Sequence, residues 1–197
     1  MAETISTPRR RLPQHRHQCV EVLTHVIEGS GTYEYGSSTP ELIGQGDTRL
    51  LTAPDPVSHA INPGKGQTIR YFAIVASLPA GKMPEVGLQS ARSAESAVLP
   101  DGTSVARLVG PGSGIQSGVG LESERIRFHS EGTSFRMVGH GHLAICYALA
   151  GEGAVDSQSL QGGEAAFIDE ASGIALQGNP GFRVIFLRVP RDSSPPG

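Results

Sequence analysis

The stretch Pro13-Gln14-His15-Arg16-His17-Gln18-Cys19-Val20-Glu21 places two of the chain's 7 histidines one residue apart, with a carboxylate shortly after them. In an extended strand, side chains two and four residues apart fall on one face. That spacing predicts His15, His17, Cys19, Glu21, Leu23 and His25 on one side and Val20, Val22, Thr24 and Val26 on the other. Two imidazoles and a carboxylate converging in a confined space suit Fe, Mn, Ni, Cu or Zn, and not Ca or Mg, which want oxygen ligands. Two histidines from one strand hold an ion weakly, so a further ligand must come from a neighbouring strand. His59, in the segment PDPVSHAIN, is the best candidate, because a hairpin return would carry it across from His15 and His17. Each residue also has a plainer reading. A His-x-His pair alone is more often unrelated to metal, and Glu21 equally suits an ion pair with Arg16 or Arg49. His25 and Cys19 match nothing further and read as packing residues.

Strands are needed to bring these residues together, and the composition favours them. A chain of 197 residues with 26 Gly, 14 Pro and 5% aromatics points to many turns between short strands, an all-β fold. Residues 19–29 are rich in β-branched side chains and end at Gly29-Ser30-Gly31, which predicts a strand and a hairpin turn. Further strands are expected over 32–35, 48–53, 58–61 and 69–77. Between 81 and 104 the β character fades, and residues 110–120 (GPGSGIQSGVG) read as a long loop. A second series follows over 125–128, 135–138, 143–149, 164–168, 173–176 and 182–189. The segments HRHQCVEVLTHVIEGSGTYEY and HGHLAICYALAGEGAVDSQ share His-x-His, an apolar strand and a Gly-x-Gly turn. This self-similarity predicts a duplicated β module and two barrels packed together.

Charge and motif content exclude other chemistries. A formal net charge of -3 argues against general affinity for nucleic acid, which rests on a concentrated basic surface. Arg9-Arg10-Arg11 reads as a solvated end. No apolar run has the length of a membrane span and the opening MAETISTPRRR carries no apolar secretory segment, so the expectation is a cytoplasmic protein. Cys19 and Cys146 form no CxxC pair and are expected as reduced thiols. Gly64-Lys65-Gly66-Gln67-Thr68 lacks the full phosphate-loop pattern, and neither GxSxG nor GxGxxG is complete.

The same residues resemble the two motifs of the cupin superfamily, and more closely those of its pirin-like members. His15, His17, Glu21 and Gly29 occupy the places of the first motif, and Gly46-Asp47 leads to His59 in the register of the second. RYFAIVASLP (70–79) and LAICYALAG (143–151) are similar to the strands that close the first pirin module and recur in the second, so the resemblance covers about residues 12 to 190. It implies two jelly-roll-type barrels, the first truncated at its N-terminal side: residues 12–80 as the metal-bearing module, 81–104 as a connection, 105–190 as a degenerate module and 191–197 as a tail. It also implies one divalent ion, Fe(II) ahead of Mn, Ni, Cu or Zn, held by His15, His17 and His59, with Glu21 as ligand or as catalytic base.

Two departures from the pirin pattern stand out. Ile61 occupies the place of the usual fourth ligand, a glutamate, and Pro54-Asp55-Pro56 replaces a glycine-rich turn. In the second module His140 and His142 repeat the spacing, but Ile145 and Cys146 follow where a glutamate is needed, which predicts packing and no second metal. The activity implied is metal-dependent chemistry on a small aromatic or enolic molecule, of the quercetin 2,3-dioxygenase kind. Non-redox isomerisation or cyclisation, and a non-catalytic regulatory role, are the alternatives. A small-molecule substrate is the expected partner, with homo-oligomerisation possible and no contact with nucleic acid or membrane. Imidazoles bind metal only when neutral, so affinity is expected to fall below about pH 6.5.

Overall fold

The computed structural model describes residues 2–8, 12–79, 85–92, 96–169 and 172–191. Among these, every regular element is a β-strand, in keeping with the all-β expectation, and no helix is long and apolar enough to cross a membrane. Arg9, Arg10 and Arg11 lie outside the described residues, as does the tail beyond Arg191. The chain divides into two compact units, one of Met1–Ala94 with Ser117–Val119, the other of Glu95–Gln116 with Gly120–Gly197.

The first unit contains β1 (Ala2–Ser6), β2 (His15–His17), β3 (Val20–Tyr35), β4 (Glu41–Gly44), β5 (Thr48–Ala53), β6 (Val57–Pro63), β7 (Ile69–Ser77) and β8 (Gly87–Ala91). Its sheet runs β1-β7-β3-β5-β8, with β4 and β6 also on β3 and β2 on β6. Two of these strands fall where the sequence reading placed no module. β1 pairs with β7 from Ala2↔Ala73 to Ser6↔Ile69, and β8 pairs with β5 from Thr48↔Ala91 to Thr52↔Gly87.

The expected hairpin at residues 29–31 does not form. Instead β3 runs on as one strand that changes partners: Val20 to Gly29 pair with β7 and Val20 to His25 with β5, after which Ser30 to Tyr35 pair with β4 and β6. A register shift between Val26 and Glu28 marks the bend, as a bulge does. Gly29 has φ +80°, and a Cβ there would come within 2.0 Å of the Thr68 carbonyl oxygen. Glycine is required because the neighbouring backbone crosses too closely for any side chain.

Val20, Val22 and Val26 alternate along β3 and pack inward. Val26, Tyr33, Ile43, Ile61, Ile69 and Tyr71 form one buried cluster, and Val22, Leu51, Ala53 and Val57 form another.

The second unit contains β9 (Ser96–Val98), β10 (Thr103–Val109), β11 (Glu122–Phe128), β12 (Gly132–Met137), β13 (His142–Ala150), β14 (Glu152–Val155), β15 (Gln158–Gln161), β16 (Ala165–Ile168), β17 (Gly173–Gly178) and β18 (Arg183–Pro190). They make two sheets, β16-β13-β18-β11-β10-β9 and β12-β17-β14-β15. Phe128, Cys146, Phe182, Val184 and Leu176 lie at the centre of its core. Cys146 is a free thiol that burial pushes up to about 12, so it packs as a small apolar residue.

Candidate metal centre

The pairing of β2 with β6 sets His15 directly opposite His59, with His17 opposite Val57. Val57, His59 and Ile61 share one face of β6, and the two apolar members belong to the buried clusters, so His59 projects from a packed wall. His59 is 4% exposed, while His15 and His17 are half-buried. The Nε2 atom of His59 lies 3.0 Å from Nε2 of His17 and 3.1 Å from Nε2 of His15. The potential ligand atoms of the three residues all lie within 4.8 Å of one another, and no other such group of His, Cys, Asp or Glu occurs among the described residues.

This donor set fits a transition-metal ion. Nitrogens about 2.0–2.1 Å from one ion stand about 3.0 Å apart at right angles and about 3.4 Å apart at the tetrahedral angle. The observed separations of 3.0 Å from His59 to His17 and 3.1 Å from His59 to His15 fall in the range that two nitrogens bound to one such ion would show. One ring is already oriented for the task. His15 Nδ1 lies 3.1 Å from the Pro13 carbonyl oxygen, which only accepts, so Nδ1 carries the hydrogen and Nε2 presents a lone pair.

Burial and neighbouring rings favour the neutral form of His59 and His17. Burial lowers His59 from 6.5 to about 3, with further lowering by His15 and His17. His17 is also lowered, by burial first and then by His15. Neutral imidazole is the form that binds metal.

Behind His59 stands a residue the sequence reading did not single out. Tyr33, with no exposed surface, places its hydroxyl 3.2 Å from His59 Nδ1. In the β3–β6 pairing Tyr33 opposes Ile61 and Tyr35 opposes His59, so Tyr33 and His59 are diagonal neighbours. The alternation in Thr32-Tyr33-Glu34-Tyr35 signalled inward tyrosines, but nothing in it named their partner. Burial pushes the Tyr33 phenol far above its ordinary range, so it stays protonated.

Glu21, expected as ligand or base, is not among the gathered groups. Cys19 sits between β2 and β3 with φ +57°, a left-handed backbone that interrupts the alternation, so His15 and His17 are not followed in phase by Glu21. Glu21 is 1% exposed. Its Oε2 accepts a hydrogen bond from Ser117 Oγ at 2.5 Å, and its Oε1 accepts from the Gly118 amide at 2.8 Å and from Thr52 Oγ1 at 3.4 Å. Nor does it pair with Arg49, whose Nε lies 3.6 Å from Glu41. Ile61, at the place where the resemblance implies a fourth ligand, is 3% exposed within the core. Of the packing residues, His25 is buried with Nδ1 3.0 Å from Thr48 Oγ1, and the Cys19 thiol lies 3.6 Å from the Pro54 carbonyl oxygen. In the second unit His142 Nδ1 lies 3.1 Å from the His140 carbonyl oxygen, at the surface.

No protein-family model and no curated protein sequence matches the chain. Solved structures do. GK1651 from Geobacillus kaustophilus superposes with a TM-score of 0.84 at 20% identity, covering 98% of this chain and 83% of that one. A quercetin 2,3-dioxygenase from Acinetobacter baumannii gives 0.80 at 19% identity, covering 92% of this chain and 62% of that one. The bacterial pirin YhhW from Escherichia coli, in complex with nickel(II), gives 0.78 at 16% identity, covering 96% and 80%. The fold is therefore the one these pirin-like and cupin proteins share.

Proposed function

We propose that this protein is a metal-dependent cupin enzyme that acts on a small aromatic or enolic molecule at His15, His17 and His59. The observation that carries the proposal is the convergence of three Nε2 atoms at 3.0 and 3.1 Å, one of them on a nearly buried ring. The likeness of the fold to a quercetin 2,3-dioxygenase and to a nickel-bound pirin supports the same reading. A divalent ion bound there, Fe(II) first among the candidates, supplies Lewis acidity and open positions for the oxygens of a substrate and for O₂.

The chain's own part is to hold and insulate. His15 and His59, on neighbouring strands, fix two donors against each other; His17 closes the set from the same strand as His15. Tyr33, Ile61 and Val57 exclude water on the buried side of His59, so the open side for a substrate is that of the half-buried His15 and His17. No carboxylate stands in the group among the described residues, and both Glu21 oxygens are occupied elsewhere. This arrangement favours oxygenation over an isomerisation or cyclisation that would need Glu21 to carry a proton.

Oxygen uptake by Fe(II)-loaded protein, offered flavonols and other enolic compounds, tests the proposal. Consumption of O₂ with substrate, lost in His17→Ala, is the expected result. Turnover that continues at the same rate without O₂ removes the oxygenase reading. Stoichiometric metal with no turnover of any compound leaves a binding or regulatory protein in its place.

A further inference from the structure

Among its described residues the second unit gathers no metal-binding group, yet part of its interior is charged. On β11, Ile126 and Phe128 belong to the core, and by alternation Glu124 and Glu122 continue the same row. On β18, Val184 and Phe186 belong to the core and Arg188 continues their row. Glu122 lies directly opposite Arg188, while Glu124 lies between Phe186 on one neighbouring strand and Arg107 on the other. Arg136 comes from β12, in the other sheet. Strands that only had to pack would keep these rows apolar. Instead Glu122, Glu124, Arg136, Met137, Phe186 and Arg188 line a pocket of about 170 Å³.

The charged groups of this pocket are matched except at one atom. Glu122 accepts from Arg188 Nη2, and Glu124 stands 3.2 Å from Arg136 Nε and 3.4 Å from Arg107 Nη2. Arg136 Nη1 donates to Ser134 Oγ at 2.9 Å and to the Phe135 carbonyl oxygen at 2.8 Å. Arg136 Nη2 is buried and donates to nothing. A guanidinium N–H hidden from water without an acceptor is costly, so a partner oxygen is missing there. Arg107, Arg136 and Arg188 outnumber Glu122 and Glu124 by one charge. Asp101, joined to Arg136 through Ser134, is exposed, where solvent screens it. The arrangement therefore suits one negative charge, and two carboxylates in the wall repel a second. The space is several times the ~30 Å³ share of a water and on the order of the ~150 Å³ cavity that takes up benzene. Phe186, 3% exposed, supplies an apolar wall, and Met137, 69% exposed, a polarisable rim. We propose that this pocket binds a small monocarboxylate whose apolar body is about the size of one ring, the carboxylate on Arg136 Nη2 and the body between Phe186 and Met137. Glu124 and Ser134 hold the guanidinium in place before the ligand arrives, which limits the ordering cost of binding.

The inference is independent of the metal centre, whose three histidines lie in the first unit, and its test reads the pocket directly. Benzoate is the probe, and benzamide, its uncharged counterpart of the same shape, is the control. The chain has 3 methionines, so carbon-13 methyl spectra of the full-length, zinc-loaded protein are simple, and Met137→Leu assigns the signal at the pocket. Benzoate should shift the Met137 methyl signal saturably, and benzamide should bind about 10–100-fold more weakly, the range set by a charge-assisted hydrogen bond. Arg136→Gln should weaken benzoate binding by a similar factor and leave benzamide unchanged, with near-UV circular dichroism checking the fold. His59→Gln should keep the full benzoate response, which separates this pocket from a carboxylate bound at the metal. Absence of a saturable Met137 shift in wild-type protein overturns the proposal, as does its loss in His59→Gln. Equal affinity for benzoate and benzamide, a comparison that needs no variant, overturns it too, and so does benzoate binding by folded Arg136→Gln at the wild-type level.

Discussion

His15 and His59 are cross-strand partners, opposite each other on β2 and β6, with their Nε2 atoms 3.1 Å apart. Backbone pairing, and not side-chain flexibility, thus sets the distance between two of the three donors. A site built on paired strands holds its geometry before an ion arrives, which limits the ordering cost of binding. Removing a ligand should cost more than the 10–100-fold loss typical of an outer partner. His59→Gln should accordingly lower metal retention after dialysis to background, as measured by elemental analysis, while Arg16→Gln, between the two β2 histidines and exposed, should leave it unchanged.

The lowered His59 value also predicts a pH dependence of folding. His59 titrates near 6.5 when unfolded and at about 3 when folded, so between these values the unfolded chain binds the extra proton. Stability therefore rises with pH across that window; it is fully present above about 6.5 and is lost as pH falls toward 3. Melting temperatures of chelator-treated protein between pH 4 and pH 7 should fall on acidification, roughly in line with the linkage slope. His59→Gln should flatten that slope. A slope unchanged by the substitution would show that other groups account for it.

What was legible in the chain follows from how local each signal is. β5 and β7 fall on the ranges expected, 48–53 and 69–77, because β-branched and aromatic runs there end at clear turn residues. β8, with the sequence GLQSA, carries no β-branched residue, and its pairing with β5 decides its conformation. The His triad was legible because the His-x-His pair lies on one short strand and a single return brings His59 across. Glu21 was misplaced for an equally local reason. Cysteine rarely adopts positive φ, so nothing at Cys19 announced the break that takes Glu21 out of phase. Its partner Ser117 lies 96 residues further along, beyond any pattern of spacing. Ile61, where the sequence resemblance implied a fourth ligand, lies in the apolar core with Tyr33 and Val26.

The bend in β3 depends on Gly29. An alanine methyl at this position would meet the Thr68 carbonyl oxygen at 2.0 Å, on a backbone with φ +80°. Left-handed strain alone costs on the order of 1–3 kcal/mol, and the clash adds to it. Gly29→Ala should lower the urea midpoint of unfolding substantially, whereas Gly36→Ala, which also has positive φ but open space around it, should show the smaller effect of strain alone. Equal losses in the two variants would mean that the close approach of Thr68 does not constrain the fold.

Glu21 separates a tether from a ligand. Its carboxylate is buried and accepts from Ser117 Oγ, the Gly118 amide and Thr52 Oγ1, and Ser117–Val119 belongs to the first unit although the chain on either side belongs to the second. A buried carboxylate with these donors fastens the segment, and truncating it removes the acceptor of two hydroxyls and an amide. A hydrogen bond to a charged group contributes about 1.5–3 kcal/mol, so Glu21→Ala should lower stability by roughly that amount in urea unfolding, with Glu21→Gln retaining part of it. Hydrogen exchange at the Gly118 amide should quicken in both. Metal content should stay at the wild-type level, since the three imidazoles are untouched. If Glu21→Gln instead lost its metal while keeping its stability and its slow Gly118 exchange, Glu21 would be a ligand and the tether would be wrong.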